Sequence, residues 1–290
     1  MSFHLFLPQM RMPVDTIVER AQAAEAAGFE GLALMDHLAP PLADEHDMWE
    51  AMTLAGWLLA ATQKLRVGHL VLCDPLRHPA VLARQAVTLD HASGGRFDLG
   101  IGWGSVPDEL DTFGVGAAPA RERVARLAES LAVIRALWTG ERVSYDGRFF
   151  RLKDARQRPV PTEPIPIVIG GAGPRTLALV REHADWWNVP VHALDRLDQG
   201  RAEVGGARVS LQTMVALVPS EAERGEVTEL FARRFGGWAL GGAAAVGTVS
   251  ELAEHFAKLR SRGVERFYVW FLDFGKPDTL AAFGRDVIGT

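Results

Sequence analysis

Short apolar runs along the chain alternate with longer stretches in which apolar residues recur every three or four positions. The runs predict strands over 3–7, 29–35, 65–72, 96–101, 165–169, 186–189, 209–218 and 266–272. The longer stretches predict helices over 14–27, 47–62, 78–92, 121–138, 175–183, 222–235, 249–262 and 278–288. Pro79 in the first turn of one helix and Gly94-Gly95 past its end mark its limits. A small hairpin over 143–152 turns at Asp146-Gly147. The segments 190–208 and 236–247 read as loops, and the glycine- and alanine-rich second segment is a candidate lid.

Eight strands alternating with helices in 290 residues predict an α/β fold, a (β/α)8 TIM barrel with loop insertions, as one domain over 1–290. Strands that are apolar throughout, such as PIPIVIG at 164–170, suit a parallel sheet covered on both faces. An open doubly wound sheet fits less well, because GIGWG at 100–104 is not the G-x-G-x-x-G fingerprint. Composition narrows the class. Charged residues make up 23% and the net charge is −5, with no basic run that argues for nucleic acid. The N-terminal stretch lacks a basic region and a cleavage site, and no apolar run approaches the ~18 residues of a membrane span. The single cysteine, Cys73, excludes a disulfide framework and a thiolate metal site, so the expected compartment is the cytoplasm.

Chemistry in a barrel gathers where strands run into the following helices. The predicted strand ends carry Asp36-His37, Cys73-Asp74, Gly102-Trp103-Gly104-Ser105, Gly170 to Thr176, Asn188 and Asp273. GGAGPRT at 170–176 reads as a phosphate cradle: glycines admit a close ligand, a helix start offers free N–H groups, and Arg175 adds a fork of donors. Asp36 and His37 are adjacent and point apart on a strand, and partner ligands are missing, so no metal site is expected. A nucleophile elbow G-x-S-x-G is absent as well. Two readings of the pair remain open on the residues alone, a structural cap and a proton-transfer site. Cys73 and His91 carry no sign of activation, and Trp186-Trp187 read as packing.

Several blocks together resemble the bacterial-luciferase-like oxidoreductases. They are FEGLALMDH (29–37), VGHLVLCDPLRHPAVLARQAVTLDHASGGRFDLGIGWGSVPDELDTFGV (67–115), RALWTG (135–140), VSYDGRFF (143–150), PIPIVIGGAGPRTLALVREHADWWN (164–188) and VGTVSELAEHFAKLRSRGVERFYVWF (246–271). The resemblance implies a flavin-type cofactor at the C-terminal mouth: coenzyme F420 for hydride transfer, or alternatively FMN in a two-component monooxygenase fed by a separate reductase. The Asp-His strand end and the glycine loop are more similar to the F420-dependent branch. There, the resemblance makes His37 the proton donor or acceptor facing the reactive ring, with Asp36 bonded to the ring or holding the histidine. It places a bulge with a non-proline cis peptide near Leu70-Val71 and puts Cys73 beside the ring. Trp103, Gly104, Ser105 and Asp108 match cofactor contacts, and Gly171, Ala172, Gly173, Arg175 and Thr176 the phosphate side. Ser105 stands where sugar-phosphate dehydrogenases of this branch carry glutamate, and no matching lysine is found, which argues against a sugar phosphate. The expected partners are a small organic substrate, a separate flavin or F420 reductase, and a second copy of the chain in a homodimer. A non-catalytic flavin-binding relative is the remaining alternative.

Overall fold

A computed structural model describes residues 1–41, 43, 45–237 and 240–289. Eight parallel strands close into a barrel: β1 (Ser2–Phe6), β2 (Gly31–Leu34), β3 (Arg66–His69), β4 (Phe97–Gly102), β5 (Ile167–Gly170), β6 (Trp186–Val189), β7 (Arg208–Leu217) and β8 (Arg266–Phe271). Each pairs with the next, and closure comes from β8 pairing with β1, Phe3 against Phe267 and Leu5 against Val269. The strands are buried on both faces because helices cover the outside, which is why they read as continuous apolar runs. The cover is α1 (Val14–Ala26), α2 (Ala51–Ala61), α3 (Pro79–Ser93), α4 (Pro107–Thr112), α5 (Ala120–Trp138), α6 (Pro174–His183), α7 (Leu197–Glu203), α8 (Arg224–Phe235), α9 (Val249–Ser261) and α10 (Pro277–Phe283).

Phe256 of α9 and Phe283, the last residue of α10, pack edge-on against Phe3, with ring centroids 5.0 and 5.3 Å away, so the seam that closes the barrel is aromatic. The barrel floor is polar. Asp98 on β4 accepts from Arg66 at 2.5 Å and from Arg266 at 2.9 Å, and Arg266 also donates to the Tyr268 hydroxyl. Burial, and then the charges of Arg266 and Arg66, push His4 beside them well below the usual histidine range, so it stays neutral.

Five expectations are corrected. The predicted strand over 65–72 ends at His69, and the chain resumes pairing with β4 only at Leu72–Cys73. Between them the Leu70–Val71 peptide is cis, at the position where the bulge was expected. The supposed loop 190–208 is a 3-10 turn at Val191–Arg196 followed by α7. Within 236–247, Ala244–Gly247 is a strand that pairs with β7, Met214 to Ala244 through Leu217 to Gly247. A lid over the whole segment is therefore excluded, and Trp238 and Ala239 lie outside the described residues. Predicted helix 47–62 starts only at Ala51, where Glu50 caps it by accepting from Met52 and Thr53 N–H. The last helix changes to π-type over Gly284–Ile288.

Candidate active site

The C-terminal strand ends surround a cavity of about 1020 Å³. Asp36 and His37, directly after β2, both line it. Asp36 is buried and its carboxylate is spoken for: Arg77 grips it with both terminal nitrogens, and Cys73 N–H donates to Oδ2 at 2.7 Å. Arg77 reaches on to Glu50 at 3.0 Å. No hydrogen bond joins Asp36 to His37 among the described residues. That role falls to Glu109 of α4, whose Oε2 lies 2.9 Å from His37 Nδ1 while Oε1 accepts from Leu38 N–H at 2.5 Å and Ala39 N–H at 3.3 Å. Burial pushes the Glu109 carboxyl up, but the bond from His37, its charge and the two backbone donors outweigh burial and leave it below the usual range. An ionised Glu109 can only accept, so Nδ1 of His37 carries a proton, and in the neutral ring Nε2 is then the nitrogen with the lone pair.

The wall beside His37 is made by Leu70, Val71 and Cys73 and by Gly102 to Ser105. Glycine is required at two of these positions. A Cβ on Gly102 would meet Val71 Cγ2 at 2.5 Å, and Gly104 has φ +76 with a would-be Cβ 2.9 Å from Cys73 Sγ. The Cys73 thiol is pushed up to about 12 by burial and the charges of Asp36 and Glu109, so it is no nucleophile. Trp103 is held in place by the Arg123 guanidinium, 5.1 Å from its ring centroid.

On the wall carrying β5, Gly171 to Thr176 run from the strand into α6. Gly171 has φ +128, a Cβ on Gly173 would meet nothing within 4 Å, and no side chain caps α6. Leu177 N–H turns back to Gly173 O, which leaves the N–H groups of Arg175 and Thr176 facing the cavity end of the helix. The Thr176 side chain is 4% exposed and its hydroxyl has no hydrogen-bond partner among the described residues. On β6, Asn188 is also 4% exposed; Ser210 Oγ lies 3.2 Å from its Oδ1, and its Nδ2 has no partner among the described residues. This donor set, open glycine backbone and unpartnered N–H and O–H groups at a helix start, fits a phosphate-bearing cofactor.

Of the residues expected from sequence, Asp36, His37, Leu70, Val71, Cys73, Trp103, Gly104, Ser105, Gly171, Ala172, Gly173, Arg175 and Thr176 all line this one cavity. Asp108 does not. It is exposed on α4, one position short of the face that Glu109 turns inward. Sequence reasoning missed Glu109, Arg77, Arg121, Arg196 and Gln212. The only local signal for Arg77 was the need of a buried Asp36 for a cation, and Glu109 had none, lying 72 residues from its histidine. A smaller hollow of about 460 Å³ borders Asp36 and His37 from the other side, with Met48, Trp49, Arg77 and Val81 in its lining.

Comparison with known proteins agrees with this geometry. The chain is 34% identical over 202 residues to an F420-dependent glucose-6-phosphate dehydrogenase of Microbacterium testaceum, covering 66% of this chain and 60% of the relative. It is 38% identical over 178 residues to an F420-dependent hydroxymycolic acid dehydrogenase of Mycobacterium tuberculosis, covering 60% of this chain and 48% of the relative. The matches thus span about half to three-fifths of these relatives. An F420-dependent secondary alcohol dehydrogenase solved with an F420-acetone adduct superposes with a TM-score of 0.85 at 19% identity, over 99% of this chain and 98% of the other, which establishes the shared fold. The family description "Luciferase-like monooxygenase" matches residues 1–236, and the chain belongs to that family.

Proposed function

We propose that the chain, acting as one domain over 1–290, is an F420-dependent oxidoreductase that moves a hydride between the deazaflavin and a small organic substrate, with His37 as proton acceptor or donor. The observation that carries it is the locked orientation of His37, with Nδ1 tied to Glu109 and Nε2 free at the cavity, across the barrel from the α6 phosphate cradle. The F420-dependent relatives support the choice of cofactor. When bound, F420 supplies the two-electron hydride acceptor or donor. The chain's own residues do the rest. Leu70, Val71 and Cys73 would back the deazaflavin, Trp103, Gly104 and Ser105 would border it, and Gly171, Ala172, Gly173, Arg175 and Thr176 would hold its phosphate. In the oxidising direction His37 Nε2 takes the hydroxyl proton as the carbon–hydrogen pair departs as hydride, and the substrate becomes a carbonyl compound. The imidazolium so formed on His37 is stabilised by Glu109. In the reducing direction the same proton returns. Asp36 and Arg77 act as positioning residues, because their charges satisfy each other and fix the loop that carries Cys73.

The substrate is a small organic molecule. No lysine lines the cavity among the described residues, which keeps a sugar phosphate outside the proposal. The chain acts in the cytoplasm as a homodimer through α2 and α3, where Trp57 is 63% and Val81 55% exposed. The test is titration of the purified protein with F420 and with FMN. Saturable binding of F420 supports the reading. Tight FMN binding without F420 affinity, together with product formation that requires oxygen and a flavin reductase, would replace it with a two-component monooxygenase.

A further inference from the structure

Trp49 is 38% exposed, yet its residue is anchored at three points. The indole N–H donates to Met12 O at 2.8 Å, the backbone N–H to Gln9 O at 3.1 Å, and the carbonyl accepts from Gln9 Nε2 at 3.1 Å. Gln9 is fully buried, and its amide also donates to Met35 O at 2.5 Å and accepts from Met35 N–H at 3.1 Å. One buried side chain therefore ties the indole to the strand end that carries Asp36 and His37. An exposed aromatic ring fixed in this way is a wall, not a loose surface side chain.

The wall belongs to the hollow of about 460 Å³ behind His37, a volume within the ~300–1,000 Å³ range of small-molecule sites. Leu38, Met48, Trp49, Leu76 and Val81 are its apolar lining. Of the eight large apolar side chains that stand exposed among the described residues, Leu38, Trp49 and Val81 meet here. Exposed apolar surface gathered around a concavity marks a binding groove. The charged lining is already satisfied. Arg77 bonds to Asp36 and Glu50, and Glu50 also accepts from Met52 and Thr53 N–H. Two carboxylates against one guanidinium leave one negative charge in excess, so an anion finds no free cation there. His78 at the rim accepts from Ala80 N–H at 3.2 Å through Nδ1, which keeps its ring neutral, and Gln85 is uncharged.

We propose that the hollow is a second binding site, which takes the uncharged, apolar body of the substrate while the hydroxyl reaches His37. Asp36 and His37 line both the hollow and the main cavity, so a molecule lying across His37 occupies both. The substrate class is thereby narrowed to neutral alcohols with an apolar or aromatic body, and to the carbonyl compounds they give. A carboxylate on that body would lose its water beside Asp36 and Glu50 and gain no partner. This rests on the oxidoreductase reading above, in which the alcohol loses a hydride to the deazaflavin and a proton to His37 Nε2 and leaves as the carbonyl compound.

The experiment records fluorine spectra of the full-length protein labelled with fluorotryptophan, while benzyl alcohol or para-(hydroxymethyl)benzoate is added. The two probes share the ring and the hydroxyl and differ by one carboxylate on the apolar body. Trp49 lines the hollow and Trp103 the main cavity, and each is assigned by the resonance lost in Trp49→Phe or Trp103→Phe. Benzyl alcohol moves the Trp49 resonance saturably, and the carboxylate binds at least about tenfold more weakly. The double variant Leu38→Asn with Met48→Gln, which keeps volume and removes apolar contact, weakens benzyl alcohol about tenfold and leaves F420 affinity unchanged. Val81 is left as it is, because it also lies on the proposed dimer face. Circular dichroism confirms that the variant is folded. No response at Trp49, movement of Trp103 alone, equal affinity for the two probes, or unchanged binding in the double variant overturns the site while the F420 reading stands. A Trp49 response without any F420 affinity upholds the binding site and overturns the oxidoreductase reading on which its substrate role rests.

Discussion

Replacing Glu109 with Gln tests the tautomer lock without a known substrate. The carboxylate serves two clients at once, His37 Nδ1 through Oε2 at 2.9 Å and the backbone N–H groups of Leu38 and Ala39 through Oε1. A glutamine has one acceptor and one donor end. If its oxygen stays with the backbone, its NH2 faces Nδ1 and the histidine proton must move to Nε2. If its oxygen turns to His37, its NH2 meets the two backbone donors and the loop loses its anchor. A hydrogen bond to a charged acceptor is worth about 1.5–3 kcal/mol. The His37 side chain is 22% and Glu109 11% exposed, so solvent screens the pair in part and the lower half of that range applies. About 1.5–2 kcal/mol corresponds to a ratio of roughly 10 to 30 between the Nδ1–H and Nε2–H forms in the wild type. Nitrogen-15 spectra of histidine-labelled protein read the tautomer directly, with His37 assigned by its loss in His37→Gln. The wild type shows the Nδ1–H form above 90% at that ratio, and Glu109→Gln shows the Nε2–H form or a mixture. A dominant Nε2–H form in the wild type, or an unchanged spectrum in the variant, refutes the lock.

Two other outcomes follow from the same structure. Arg77→Met leaves Asp36 as a buried charge without its counterion, because their side chains are 13% and 5% exposed, and costs about 3–5 kcal/mol, a fall in Tm on the order of 10 °C by calorimetry; a fall below ~2 °C would show that the pair is better solvated than its burial implies. His69 is fully buried and its pKa is lowered to about 4 by desolvation, so from about pH 6.5 down to about 4 the unfolded chain takes up a proton that the folded chain refuses. Stability is level above that window and falls within it by up to ~3 kcal/mol, with His4 acting in the same direction; urea midpoints at several pH values measure the slope, and an equal slope in His69→Asn rejects the assignment.

What the sequence revealed follows from where its signals are local. The barrel strands are buried on both faces and short, so apolar runs marked them. The glycine turn into α6 and the Asp-His strand end depend on neighbours in sequence. The errors share the opposite property. Helix α7 contains Gly200, which argues against a helix until its neighbour is seen: a Cβ there would stand 2.1 Å from Trp187 Cη2, so packing against the barrel wall demands glycine. The strand Ala244–Gly247 is poor in β-branched residues, and its pairing with β7 overrides weak propensity. Glu109 is ordinary in sequence and acquires its role only because α4 folds over the end of β2.

The two ends of the barrel show why pairing alone does not mark a site. At the floor, Asp98 with Arg66 and Arg266 forms a closed network, yet His4 Nε2 and Arg266 Nε are buried without partners among the described residues. Those orphans are sealed, so no ligand reaches them and their cost falls on stability alone. At the mouth, Asp36 with Arg77 is equally closed, but His37 Nε2, the Thr176 hydroxyl and Asn188 Nδ2 border a cavity of about 1020 Å³. A polar group left unpaired where a ligand can reach it loses its penalty when the ligand binds. Access, rather than the number of unmet hydrogen bonds, therefore separates the mouth, where a ligand can satisfy these atoms, from the floor, where none can.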